Sequence, residues 1–171
     1  MSTLDLVLNL SLLALMVLTQ LGERRLDRWT YLRPALITAG VAFFFLGSLP
    51  LQGGNGAMYL LASAAGALFG LLALALMDVR WSGDQGQIVI RAGWGYAAVW
   101  IGVIGGRMLF AELATHAWAS QVGRFSYEHG ITGAEAWRAA FVLMALSMIV
   151  ARTLGLALRA RLLAQSRQAL A

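Results

Sequence analysis

The chain has 171 residues, 60% of them hydrophobic and 12% charged, with a mean hydropathy of +0.72; a soluble domain carries roughly 25% charged residues, so too few polar groups are present to coat a globule in water. The absence of cysteine excludes disulfides, thiolate metal sites and thiol–disulfide chemistry within the chain. The formal charge of +5 rests on 13 basic residues, all arginine, which stand mostly at the ends of apolar runs rather than on one stripe, so no nucleic-acid partner is expected.

A helix needs about 20 mostly apolar residues to cross a bilayer, and five runs approach that length. The first covers residues 4–21, with Asp5 at its start. It lacks a basic leader and a small-residue cleavage site, so it reads as a retained helix rather than a signal peptide. The second covers 34–51, with Pro34 suited to the first helical turn and Pro50 marking the end. The third, 57–77, is the most uniform. The fourth, 94–113, is interrupted by Arg107, and the fifth, 136–158, has Arg138 at its start and Arg152 near its end.

The connections differ in character. Residues 22–33 hold four arginines with Trp29 and Tyr31, a composition suited to a membrane interface. Residues 52–56 are short, glycine-rich and uncharged. Residues 78–93 read as two extended pieces around Ser82-Gly83-Asp84-Gln85-Gly86, which predicts a β-hairpin. Residues 114–135 are polar and aromatic, and 162–171 form a fraying tail.

Basic residues favour the cytoplasmic side. With the N-terminus outside, the inner segments 22–33, 78–93 and everything after residue 158 carry nine of the 13 arginines, and the outer loops carry Arg124 alone, or two if Arg138 is counted with them. The fold expected is therefore an all-α transmembrane bundle of about five spans, N-out and C-in, with an inner hairpin-like loop at 78–93. A single helical domain covers 1–161, a cytoplasmic tail covers 162–171, and the location is the cell membrane.

Arg107 is the most informative residue. A charged side chain in hydrocarbon costs from ~2.5 to over 10 kcal/mol, so it either faces the bundle or snorkels; it stands about 9 Å below the outer end of its span. Asp5 and Glu112 are the nearby outer acids, and Glu112, five positions on, points to another helix face. One reading is a structural Arg107–Asp5 or Arg107–Glu112 ion pair; the other is a site for an anion or a lipid headgroup. Arg152, near an inner helix end, snorkels more easily. His116 and His129 stand near Glu112, Glu128 and Glu135, and a His/carboxylate group on the outer face can in principle bind metal. With no tight ligand motif and no histidine within a span, no haem, metal or other cofactor is expected beyond lipid contacts. The small-xxx-small runs Gly66–Gly70 and Gly102–Gly106 allow close helix approach, within the chain or in a homodimer. No Ser/His/Asp order, paired carboxylates, P-loop or dinucleotide fingerprint is present, so the chain does not read as an enzyme.

Leu32-Arg33-Pro34, the run Phe43-Phe44-Phe45-Leu46-Gly47-Ser48-Leu49-Pro50, the Gly66–Gly70 run, the Asp84–Arg91 hairpin and Trp100-Ile101-Gly102-Val103-Ile104-Gly105-Gly106-Arg107-Met108 follow one another in an order that resembles the small bacterial membrane proteins of the CcdC type. The resemblance covers roughly residues 24–158 and implies association with cytochrome c maturation genes, with Arg33, Pro34, Gly70 and Arg107 as motif residues. The readings that follow are a non-enzymatic accessory or scaffold component with an envelope protein partner, a small homodimeric transporter or channel with Arg107 in its anion path, or a haem- or metal-linked membrane protein.

Overall fold

Alternation is the first organising signal. Met77, Val79 and Trp81 turn inward while Asp78 and Arg80 are exposed, the period of two that a half-covered strand requires. The computed structural model describes residues 22–25, 28–46, 49–82 and 87–168. It pairs β2 (Met77–Ser82) with β3 (Gln87–Ala92), Met77 opposite Ala92 and Trp81 opposite Ile88. The expected hairpin is present and is extended by β1 (Gly22–Arg25), which pairs with the other edge of β3 in the antiparallel order β1-β3-β2. The register sets Asp78 opposite Arg91.

The helices are α1 (Arg28–Leu46), α2 (Asn55–Ala75), α3 (Trp94–Thr115), α4 (Ala119–Glu128) and α5 (Gly133–Gln168). α2, α3 and α5 are long and apolar enough to cross a membrane, whereas the apolar part of α1, Leu32–Phe43, is shorter. Large apolar side chains such as Leu60, Leu61 and Leu68 on α2 are exposed, as a lipid-facing helix surface requires. The expected first span, 4–21, lies outside the described residues.

Three boundaries differ from the sequence reading. α1 begins at Arg28, so Pro34 falls in its second turn, where the missing N–H leaves the Thr30 carbonyl without its helical donor. The 22–33 connection is thus a strand followed by a helix start. Residues 114–135 contain the amphipathic helix α4, whose short length and polar face hid it. α5 has 36 residues and at 1.5 Å per residue runs about 54 Å, well beyond a ~30 Å hydrocarbon core; the expected tail is its last turns through Gln168.

α2 and α5 form the central pair. Their contact depends on Gly66 and Gly70: a Cβ on Gly66 would run into the Met144 carbonyl, and one on Gly70 into the Met148 carbonyl. At the sheet end, Ala73, Leu74, Met77, Ile90, Ala92, Tyr96, Met148 and Leu156 make one core. Towards the opposite end, Tyr59, Ala139 and Ala140 make a second, packed against Phe45 and Leu49.

Candidate functional site

Arg107 lies on the second half of α3 with its side chain exposed. Its guanidinium carbon is 5.9 Å from the centroid of the Phe141 ring on α5. From Phe141 a row of rings continues through Phe110 at 5.3 Å, Trp137 at 5.0 Å, Phe125 at 6.4 Å and His129 at 4.1 Å. The Trp137 indole N–H donates to Ser126 Oγ at 3.1 Å, which ties α4 to α5. Between α3, α4 and α5 this row leaves a groove of about 480 Å³, lined by Phe110, Trp118, Gln121, Val122, Phe125 and Trp137. Its walls are apolar apart from Gln121, and Arg107 lies outside it. Such walls, with no cation among them, suit an apolar chain better than an anion.

Glu112 does not meet Arg107. Its carboxylate stands 3.5 Å from Nδ1 of His116, one turn further along. The reason is helical phase: five positions separate Arg107 and Glu112 by about 140° around the axis, and four positions separate Glu112 and His116 by only about 40°. Asp5 lies outside the described residues.

The expected outer-face cluster of His116, His129 and Glu135 is not assembled. Each residue stands at a different helix end and is engaged locally. His129 Nδ1 is 2.9 Å from the Phe125 carbonyl, and Glu135 accepts from Arg138 at 2.6 Å. Among the described residues, no three His, Asp or Glu side chains gather into a group able to hold a metal.

Arg152 faces into the fold. Its guanidinium lies 5.2 Å from the ring centroid of Tyr96, which is 2% exposed. A cation over an aromatic face inside a protein is worth about 1–2 kcal/mol, so the residue joins α5 to the base of α3. Two further polar positions escaped the sequence reading. Arg159 donates through Nη1 to the Leu74 carbonyl at 3.0 Å, so a cation caps the C-terminal, electronegative end of α2. Asn55 is fully buried at the opposite end; its Nδ2 donates to the Pro50 carbonyl at 2.8 Å and to Thr132 Oγ1 at 2.6 Å, while its Oδ1 accepts from the Thr132 N–H at 3.0 Å. An asparagine between a glycine pair and an apolar run is the signal that marks it, since its amide suits both turn and helix start.

The two glycine runs have different fates. Gly66 and Gly70 are buried against α5 of the same chain, so that pair is not free for a homodimer. Gly102 and Gly106 on α3 are exposed.

In comparisons with known proteins, no protein family, curated protein or solved structure matches the chain.

Proposed function

We propose that the chain is a bacterial integral membrane protein of five spans, N-out and C-in, that serves as a non-enzymatic accessory or scaffold component of an envelope system. The observation behind this reading is α5. One 36-residue helix carries the core packing of both ends, holds α2 along its length, and runs on past the sheet with Arg159 and Arg161 in its last turns. A spine that links a compact loop junction on one side to an arginine-bearing sheet and helix end on the other suits a protein that presents a surface to a partner. The CcdC-type resemblance belongs to this proposal and rests on the order of its glycines, proline and arginines.

The second reading is a small transporter with Arg107 in an anion path. Arg107's exposure within an apolar helix favours it; the apolar groove beside α4, which leaves Arg107 outside, speaks against a polar route. Anion flux into proteoliposomes separates the two. The scaffold reading expects flux equal to that of empty vesicles. Flux above that level that disappears in Arg107→Ala would overturn it in favour of transport. A reporter fused after Gln168 tests orientation, with activity expected on the cytoplasmic side.

A further inference from the structure

We propose that the groove between α3, α4 and α5 holds one acyl chain of a zwitterionic, amine-headed phospholipid, whose headgroup rests on the Arg124–Glu128 pair at the lip of α4. The proposal rests on reading α3 and α5 as membrane spans.

The two-sidedness of α4 makes the groove. At 100° per residue, Trp118 at its head, Val122 and Phe125 fall within one arc of about 60°, and Ser120, Arg124 and Tyr127 occupy the other side. The Trp137–Ser126 bond pins one flank of α4 to α5, yet Trp118 and Phe125 remain about half exposed. The apolar face of α4 is thus held over Phe110 and Trp137 without closing on them. The space left, about 480 Å³, is within the range of small-ligand sites.

Position along the helices selects a lipid. Phe110 stands five residues before the end of α3 at Thr115, and Trp137 four after the start of α5 at Gly133. These are depths of about 8 and 6 Å, and the headgroup layer of a bilayer is about 5–8 Å thick on each side. The walls therefore meet the first carbons of the acyl layer, and the groove opens among the headgroups. Trp118 and Trp137 suit that boundary, where indole rings concentrate.

Charge selects the headgroup. Gln121 lines the groove, and Arg124 and Glu128 lie within about 60° and 20° of it around the α4 axis, so they share its lip. Arg124 Nε donates to Glu128 Oε1 at 2.7 Å, with both side chains exposed. An exposed pair of this kind holds its partners weakly and can trade them for a ligand. An anionic headgroup would take Arg124 and leave Glu128 facing like charge. A phosphate next to an ammonium gives each side chain an opposite charge.

The test places the full chain in phosphatidylglycerol vesicles that carry a trace of phosphatidylethanolamine with a diazirine in one acyl chain. Trypsin cuts after Arg107, Arg124 and Arg138, so peptides 108–124 and 125–138 contain every lining residue. Light is expected to label these two above peptide 29–80, which carries α2. Added unlabelled phosphatidylethanolamine should remove the excess, and added phosphatidylglycerol should not. Val122→Phe fills the groove, and Gln121→Trp closes it from an exposed position that no core packing depends on. Each is expected to cut the excess roughly tenfold, the effect of about two methylenes no longer buried. Arg124→Gln with Glu128→Gln should lower it roughly two- to fivefold and make the two lipids equal competitors. Even labelling of all peptides, or full labelling in both groove variants, would overturn the proposal. Equal competition in the unaltered chain would overturn the headgroup assignment. Release of the chain from membranes by alkaline carbonate would overturn the membrane reading and this proposal together; a chain that resists carbonate and labels evenly overturns this proposal alone.

Discussion

Asn55 and Thr132 are 77 positions apart in sequence and are joined twice: the Asn55 amide donates to the Thr132 hydroxyl at 2.6 Å, and the Thr132 N–H returns a bond to the Asn55 carbonyl at 3.0 Å. The junction is completed by Gly54 N–H donating to the Gly130 carbonyl at 3.0 Å. It closes the α2 start onto the α5 start. Because Asn55 is fully buried, every bond it makes replaces one to water.

Asn55→Ala leaves the Thr132 N–H without this acceptor and the Pro50 carbonyl without one of its two donors, the other being the Tyr59 hydroxyl at 3.1 Å. Orphaned buried groups cost about 1–3 kcal/mol each. A loss of about 2–4 kcal/mol is expected, read as a lower thermal midpoint in detergent. An unchanged midpoint would mean that the junction does not hold the two helix starts together.

Gly66→Leu and Gly70→Leu drive side-chain atoms into the Met144 and Met148 carbonyls, which backbone cannot easily yield. Overpacking of this kind costs about 1–3 kcal/mol or more. Gly40→Ala, on α1 with open space around its Cβ position, is expected to change stability by less than about 1 kcal/mol. Equal effects at Gly66 and Gly40 would contradict the packing of α2 on α5.

Arg159→Ala removes the cation from the end of α2. Charge at a helix terminus and a charge-assisted bond to a carbonyl together suggest a loss of about 1–2 kcal/mol. Arg159→Lys keeps the charge and is expected to recover part of it. Amide exchange at the last turn of α2 should quicken in Arg159→Ala before exchange at its centre does.

The Arg152–Tyr96 contact is best read by a double-mutant cycle. Tyr96→Phe keeps a ring beneath the guanidinium, and Tyr96→Leu does not. Coupling between Arg152→Gln and Tyr96→Leu is expected at about 1 kcal/mol, with Tyr96→Phe retaining most of it. Additive effects would show that the 5.2 Å approach contributes nothing beyond packing.

Hydropathy and spacing were enough to reveal the long apolar helices α2, α3 and α5 and the 78–93 hairpin. Each of these follows from local periodicity: runs near 20 apolar residues in one case, alternation about a Gly-rich turn in the other. Periodicity also located Arg107 as a charge within a long apolar helix. What it could not give is partnership. β1 is four residues long and becomes a strand by pairing with β3 almost 70 positions later, so the same arginines read as a loop. The start of α1 before Pro34 and the whole of α4 are too short or too polar to announce themselves.

The sequence by itself determined where the long apolar helices run and that three of them are long enough to cross a membrane, because burying a helix in hydrocarbon demands a length and composition visible in any single run. Only the tertiary structure decided which charges meet and which glycines are used. Gly66 and Gly102 head the same small-xxx-small pattern, yet one is closed by α5 and the other is exposed. Glu112 turned to His116 by helical phase, Arg152 to Tyr96 and Arg159 to the end of α2. Those choices depend on the angle and height at which separate helices pass one another, and that geometry is set by the packing of the whole bundle.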